Sequence, residues 1–315
     1  MSFKTVFMFS GQGSHYHQMG RELFETNTVF RESMSRLDGL ARSLLRESVV
    51  EAIYSGRKDA VFDRTRMTHP AIFMVEYALA QCLIRAGLTP DLTLGSSLGS
   101  FAAAAIAGFV DEEEALTAII KQAAAFEACC ERGSMIAVLG DPRLFEERFL
   151  CERSELAGVN FAKHFAVSAV GADLAQIEAD LRERNVTHQR LAVSFAFHSR
   201  WIDDARQPFE AFLRSAPGSS AGSAGRLPMA CCEQADVLTS LPGDFFWRVV
   251  RGSIRFRDTI AALERSGPYR YVDVGPSGTL ANFVKYGLPA GSRSTSFPTL
   301  TPFGQDRRNV AALLQ

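Results

Sequence analysis

The fold of this chain is decided by the stretch Gly95-Ser96-Ser97-Leu98-Gly99. A short apolar run at 92–94 leads into it, and a run of small residues that favours a helix, 101–107, leads out. This is the G-x-S-x-G pattern of a nucleophile elbow, a sharp strand-to-helix turn that lifts a serine hydroxyl clear of the backbone. The flanking glycines avoid side-chain clashes in so tight a turn. The pattern predicts Ser97 as a nucleophile that forms acyl-enzymes, and a Gly/Ser-rich turn without chemistry is the alternative.

Composition and charge are those of an ordinary globular protein. The chain has 315 residues, 47% of them hydrophobic and 22% charged, with a formal net charge of −1. Lys and Arg are scattered rather than clustered, which indicates neither a nucleic-acid nor a membrane partner. A basic patch for an acidic carrier protein could still form in three dimensions. The length suits one large domain, or a large domain with a smaller insert.

The cysteines and the N-terminus indicate a cytoplasmic protein. No pair has C-x-x-C spacing, which argues against a zinc site and a secreted disulfide framework. Free thiols in a reducing cytosol are therefore expected. The apolar N-terminal run ends at Phe9 and is predicted to be a buried strand rather than a signal peptide, and no later run is long enough to span a bilayer. The six cysteines are Cys82, Cys129, Cys130, Cys151, Cys231 and Cys232.

Most of the chain predicts an α/β-hydrolase-like domain with a parallel sheet, built from residues 1–133 and 198–315. Apolar runs at 6–9 and 271–274 predict buried strands. Pro70 is predicted to open a long helix over 71–86. The remaining predictions are helical segments up to about residue 54, over 111–130, 199–214 and 247–263, and a flexible linker over 217–225.

Residues 134–197 form a separable pattern. Strands are predicted over 135–139, 155–160, 165–170 and 188–193, with helices over 143–151 and 174–184. The order βαββαβ is the ferredoxin-like split motif. We therefore expect a small ferredoxin-like subdomain inserted into the larger domain.

A serine hydroxyl needs a base within hydrogen-bond reach to act as a nucleophile. Of six histidines, His198 lies where the predicted insert ends and the larger domain resumes. Domain junctions form cleft walls, which favours His198 as the base. A histidine with a purely structural role is the alternative.

An oxyanion hole needs two backbone N–H groups aimed at one point, and the helix after the elbow directs its N-terminal N–H groups above Ser97. The residue after the nucleophile, Leu98, supplies one donor in such an elbow. The turn Gly11-Gln12-Gly13 follows the first predicted strand, so the Gln12 N–H is the candidate for the second. The alternative is an ordinary glycine-rich turn.

Several motifs in register resemble one family over nearly the whole chain. The chain is similar to the malonyl-CoA:acyl-carrier-protein transacylases, which include the acyltransferases of polyketide and fatty-acid synthases. The ending at 275–286 most resembles freestanding, trans-acting enzymes of polyketide assembly lines. The matching motifs are Gly11-Gln12-Gly13-Ser14, Thr68-His69-Pro70-Ala71, the stretch 87–91, the elbow, Phe197-His198-Ser199, Ile254-Arg255-Phe256 and Gly275-Pro276-Ser277.

The resemblance implies roles for individual residues. Ser97 matches the acylated serine and His198 its general base, while Gln12 and Leu98 match the two oxyanion-hole residues. The family orients its histidine with a backbone carbonyl, and the matching position here is Gly252.

Three positions depart from the family pattern, and one of them bears on the substrate. Ser96 and Ser100 replace the histidine and glutamate of G-H-S-x-G-E, and Ala123 stands where malonyl enzymes carry an arginine that binds the substrate carboxylate. Burying a carboxylate without a partner costs several kcal/mol. We therefore expect a neutral acyl group rather than malonyl, in a pocket that Ser96 and Ala123 line and that Phe197 narrows; a cation from elsewhere in the chain is the alternative.

These inferences predict an acyl hydrolase that acts in trans in a polyketide pathway. It would remove non-malonyl acyl groups from phosphopantetheinylated acyl carrier protein through a Ser97 acyl-enzyme. Transfer of an acyl group from CoA or carrier protein to a carrier is the first alternative, and an inactive docking homologue the second. No metal or organic cofactor is expected.

Overall fold

A six-stranded sheet forms the centre of the fold in the computed structural model, which describes residues 3–215 and 224–314. Its order is β10-β9-β1-β2-β7-β8, and every pairing is parallel except that of β7 with β8. Parallel strands place their carboxyl ends at one edge, where loops gather to form sites. The strands are β1 (Lys4–Phe9), β2 (Leu92–Gly95), β7 (Ala224–Cys231), β8 (Asp236–Ser240), β9 (Tyr269–Asp273) and β10 (Thr295–Pro298).

Helices cover both faces of this sheet. Along β1, Phe7 and Phe9 pack into the larger core, while Val6 and Met8 pack into a second core on the opposite face. A strand buried on both faces reads as a continuous apolar run, which is why β1 was recognisable in the sequence. The helices of the large domain are α1 (Arg21–Thr26), α2 (Thr28–Leu45), α3 (Val49–Ser55), α4 (Thr65–Arg85), α5 (Gly99–Ala107), α6 (Glu112–Cys129), α9 (Arg206–Ser215), α10 (Phe245–Arg251), α11 (Phe256–Glu264), α12 (Thr279–Gly287) and α13 (Asp306–Leu313), with a 3₁₀ helix at Arg200–Ala205.

A second, four-stranded antiparallel sheet has the order β4-β5-β3-β6. It has its own core, which includes Ile136, Phe165 and Ile177. The chain order βαββαβ with this strand order is ferredoxin-like, so the predicted α/β fold class with a ferredoxin-like subdomain is confirmed. Its elements are β3 (Gly133–Leu139), a 3₁₀ helix (Pro142–Glu146), α7 (Arg148–Cys151), β4 (Glu155–Phe161), β5 (His164–Val170), α8 (Gly171–Glu183) and β6 (Thr187–Arg190).

Backbone hydrogen bonds join the ferredoxin-like sheet to the large domain. The Val159 N–H donates to the Ile254 carbonyl and the Ile254 N–H to the Ala157 carbonyl, each at 2.8 Å. These bonds extend β4 by a parallel bridge between Gly158 and Ile254. They fix the loop after α10 against the small subdomain.

The structure differs from the sequence-based prediction in several places. The helix predicted over 143–151 is a 3₁₀ helix followed by the short α7, the helix predicted over 199–214 begins as a 3₁₀ helix, and the strand predicted over 188–193 ends at Arg190. Strands β7, β8 and β10 were not predicted. The long helix does not open at Pro70: α4 begins at Thr65 and contains this proline, whose missing N–H leaves the Arg66 carbonyl without its usual helical donor. The predicted linker over 217–225 lies mostly outside the described residues, but Ala224 and Gly225 already belong to β7. No helix among the described residues is long and apolar enough to cross a membrane.

The elbow glycines provide a stability test. A Cβ on Gly99 would lie 2.2 Å from the Phe9 carbonyl oxygen, so Gly99→Ala forces backbone movement and we expect it to lower the free energy of unfolding by about 3 kcal/mol. The matched control is Gly39→Ala in α2, where a Cβ meets nothing within 4 Å; it should raise that free energy by about 0.5–1 kcal/mol. Urea unfolding of both variants measures the difference, and equal stabilities would contradict this account of the turn.

Candidate active site

Ser97 lies in the sharp turn between β2 and α5. Its φ is 55°, in the left-handed region that non-glycine residues seldom adopt, as a nucleophile elbow requires. The Ser97 hydroxyl donates a hydrogen bond of 2.7 Å to Nε2 of His198. The two residues are far apart in sequence, and the fold brings them into direct contact.

His198 is buried and held from two sides. Its φ is 60°, also left-handed, and its backbone N–H donates to the Val250 carbonyl at 3.0 Å. Its ring Nδ1 lies 2.6 Å from the Gly252 carbonyl oxygen. Because a carbonyl can only accept, Nδ1 carries the proton, which leaves the Nε2 lone pair facing the Ser97 hydroxyl.

Burial keeps this imidazole neutral. Desolvation lowers the pKa of His198 to about 4, and the hydrogen bond to Gly252 only partly opposes the shift. The neutral ring is the form that accepts a proton from a hydroxyl.

The turn after β1 lies directly against Ser97. A Cβ on Gly11 would be 2.9 Å from the Ser97 Cβ and 3.3 Å from its Oγ, so only glycine fits there. Gln12 is the next residue in the chain after Gly11. Leu98 follows Ser97 and directly precedes α5. The N–H groups of Gln12 and Leu98 therefore come from two loops that meet at Ser97.

A buried carboxyl supports the turn, and sequence reasoning missed it. Glu76 on α4 accepts hydrogen bonds from the Ser10 N–H at 2.7 Å and the Ser10 hydroxyl at 2.9 Å. Complete burial raises the pKa of Glu76 well above its ordinary value. A lone acid within the apolar stretch 71–80 was the available signal.

A cavity of about 290 Å³ opens above Ser97, between the large domain and the ferredoxin-like sheet. Its lining includes Ser96, His69 and Gln12. No Lys or Arg stands among the described residues that line it. Further polar side chains outside the two turns are Asn160, His164, Gln189 and Thr279, and the apolar part of the lining consists of Leu98, Met135, Ala137, Ala166, Leu191, Phe197, Val250, Ile254, Leu280 and Phe283.

Two predicted substrate-binding residues occupy different positions. Phe197 lines the cavity and packs against Phe126 on α6, with ring centroids 5.2 Å apart. Ala123 is fully buried on α6 but is not among the residues that line the cavity. Two cationic residues near Ala123 in the sequence could have replaced the family's arginine, but neither lines the cavity. Lys121 is exposed, and Arg132 stacks over the Phe195 ring, 5.2 Å from its centroid.

The chain is similar to known proteins over nearly its whole length. The chain is 42% identical over 313 residues to the polyketide biosynthesis acyltransferase homolog BaeD of Bacillus velezensis, covering 98% of this chain and 95% of BaeD. It is 41% identical to the homolog PksD of Bacillus subtilis, with the same coverage. The solved acyl transferase domain of SpnD, in complex with 2-(pent-4-yn-1-yl)malonyl, superposes with a TM-score of 0.88 at 26% identity, covering 99% of this chain and 75% of that one.

A family model described as the acyl transferase domain matches residues 6–315. The resemblance indicated by the motifs is thereby confirmed, and the chain belongs to the acyl transferase domain family.

Proposed function

We propose that this protein hydrolyses neutral acyl thioesters of acyl carrier protein in a polyketide pathway, through an acyl-enzyme on Ser97. The observation that carries the proposal is the hydrogen bond of 2.7 Å between the Ser97 hydroxyl and the neutral His198, beneath a cavity without a cationic side chain. The similarity to BaeD and PksD, both named polyketide biosynthesis acyltransferase homologs, supports the pathway.

In the first half-reaction Ser97 Oγ attacks the thioester carbonyl carbon while its proton passes to Nε2 of His198. The N–H groups of Gln12 and Leu98 stabilise the oxyanion. The C–S bond then breaks, and the carrier thiolate takes the proton from His198. The Gly252 carbonyl accepts from Nδ1 throughout and stabilises the transient imidazolium.

The substrate class follows from charge. Burial lowers the pKa of His69, which packs against Phe197, to about 3, and it also lowers the pKa of His164, so neither of these cavity histidines replaces the missing arginine as a cation. A malonyl carboxylate would lie in this cavity without a cationic partner, which costs several kcal/mol. A neutral acyl chain meets an apolar wall instead.

A hydrolase and a transferase share the first half-reaction and differ in the second, in which either water or a second carrier thiol attacks the acyl-serine. Membership of the acyl transferase family favours transfer as the second candidate. The Ser97–His198 hydrogen bond argues against a third candidate, an inactive docking homologue.

Carrier protein loaded with acetyl or butyryl groups tests the reaction. Incubation with the protein should yield free carrier and free carboxylic acid, and a second, empty carrier should stay unloaded. Mass spectrometry of both carriers measures these outcomes. Ser97→Ala should lower the rate by about a thousandfold or more without unfolding, since it removes the nucleophile. Acyl groups appearing on the second carrier would establish the transferase instead, and turnover by Ser97→Ala would remove this serine from the mechanism.

Charge selectivity is tested with matched carriers. We expect butyryl carrier to react at least about a hundredfold faster than malonyl carrier, because a buried unpaired carboxylate costs about 3 kcal/mol or more. The methyl ester of the malonyl group keeps the chain and removes the charge, so it should recover much of the rate. A slow ester would show that shape, not charge, excludes malonyl.

The pH profile tests His198 as base. Its proton-accepting form persists above its pKa of about 4, so kcat/KM should be flat from about pH 8 to 5 and fall about tenfold per unit below pH 4. Circular dichroism at each pH, and recovery on return to neutral pH, separate titration from unfolding. A decline centred near pH 6.5 would indicate an ordinary exposed histidine.

A further inference from the structure

The cavity above Ser97 contains a polar side chain that the proposed reaction does not use. His69 on α4 lines the cavity and is only 1% exposed. Neither of its ring nitrogens has a hydrogen-bond partner within the described part of the chain. Its nearest aromatic neighbours are Phe197 and Phe126, with ring centroids 5.4 Å and 6.1 Å away. An unpartnered imidazole among apolar rings is costly for the free protein.

A second unpartnered group lies on the same wall. The Gln12 side chain donates from Nε2 to the Thr68 hydroxyl at 2.8 Å, which fixes its amide beside the residue that precedes His69. The Gln12 Oε1 is buried and, among described residues, without a partner. One acceptor from Gln12 and one imidazole from His69 thus share this part of the cavity.

The backbone that carries Gln12 lies against Ser97. Gly11 packs against Ser97, with 3.3 Å between the position of a Cβ and the Ser97 Oγ, and Gln12 is the next residue. Adjacent Cα atoms are about 3.8 Å apart. The ferredoxin-like sheet across the cavity also carries polar side chains, Asn160, His164 and Gln189, but among the described lining residues only Gln12 and His69 have buried side-chain polar atoms without a hydrogen-bond partner. A polar substituent on the acyl chain would therefore satisfy unpartnered groups only where it reaches Gln12 and His69.

We infer that the pair of His69 and Gln12 binds a hydroxyl on the second or third carbon of the acyl group, so that the preferred substrate is a short hydroxyacyl thioester. This inference rests on the proposed acyl-enzyme function of Ser97. A hydroxyl donates to Gln12 Oε1 and accepts from the N–H of the neutral imidazole, which satisfies both buried groups with one atom. An oxo group could only accept and would leave Gln12 Oε1 without a donor.

The test compares 3-hydroxybutyryl with butyryl carrier protein, which differ in one oxygen. The readout is the rate of Ser97 acylation, followed by intact protein mass, because hydrolysis and transfer share this step. We expect the hydroxyacyl carrier to react about five- to a hundredfold faster in the unmodified protein. His69→Phe should abolish this ratio, and His69→Gln, whose amide can donate and accept, should restore much of it.

A ratio within one protein is independent of the fraction that is folded, so partial destabilisation by His69→Phe does not affect the result. Met135→Leu, which changes only the apolar wall, is the matched control and should retain the hydroxyacyl preference. Equal rates for the two carriers, or the same preference in His69→Phe, would overturn the inference.

A binding measurement separates this inference from the proposed function. Ser97→Ala protein should bind 3-hydroxybutyryl-pantetheine more tightly than butyryl-pantetheine by calorimetry, with no chemistry involved. A preference in binding without any acylation of unmodified protein would refute the acyl-enzyme and retain the hydroxyl site. Acylation without a preference in either assay would refute the hydroxyl site alone.

Discussion

The hydrogen bond from the His198 imidazole to the Gly252 carbonyl is the contact on which the rest of the site depends. It determines which ring nitrogen carries the proton and therefore which one faces Ser97. A carboxylate in this position would raise the pKa of the imidazole, whereas a neutral carbonyl leaves desolvation as the dominant influence. The base thus remains unprotonated without a charged partner in an interior that could not readily accommodate one.

Holding Ser97 and His198 together requires two left-handed backbone residues that are not glycine. Such conformations cost of order 1–3 kcal/mol each and persist only where the surroundings determine them. At Ser97 the surroundings are Gly11, Gly95 and Gly99, all of which leave no room for a Cβ. At His198 they are the backbone bond to Val250 and the ring bond to Gly252. The same two restraints also orient the side chain.

Local patterns were enough to predict the elbow, the inserted βαββαβ unit and the strand β1, because each depends on turn chemistry, on the periodicity of apolar residues or on a continuous apolar run. The beginning of α4 was not predictable in this way, since a helix that continues through Pro70 depends on tertiary packing that outweighs one lost hydrogen bond. Whether Ala123 lines the cavity, and whether His69 and Glu76 have partners, depends on how α4 and α6 pack. Sequence spacing carries no such information.

The bridge between β4 and Ile254 has a mechanical consequence. The Ile254 backbone is bonded to the ferredoxin-like sheet on both its N–H and its carbonyl side, and Gly252 lies two residues before it. A shift of the small sheet relative to the large domain would therefore act on the Gly252 carbonyl through two residues of backbone. The subdomain that forms one side of the cavity is thus directly linked to the oxygen that orients the His198 imidazole.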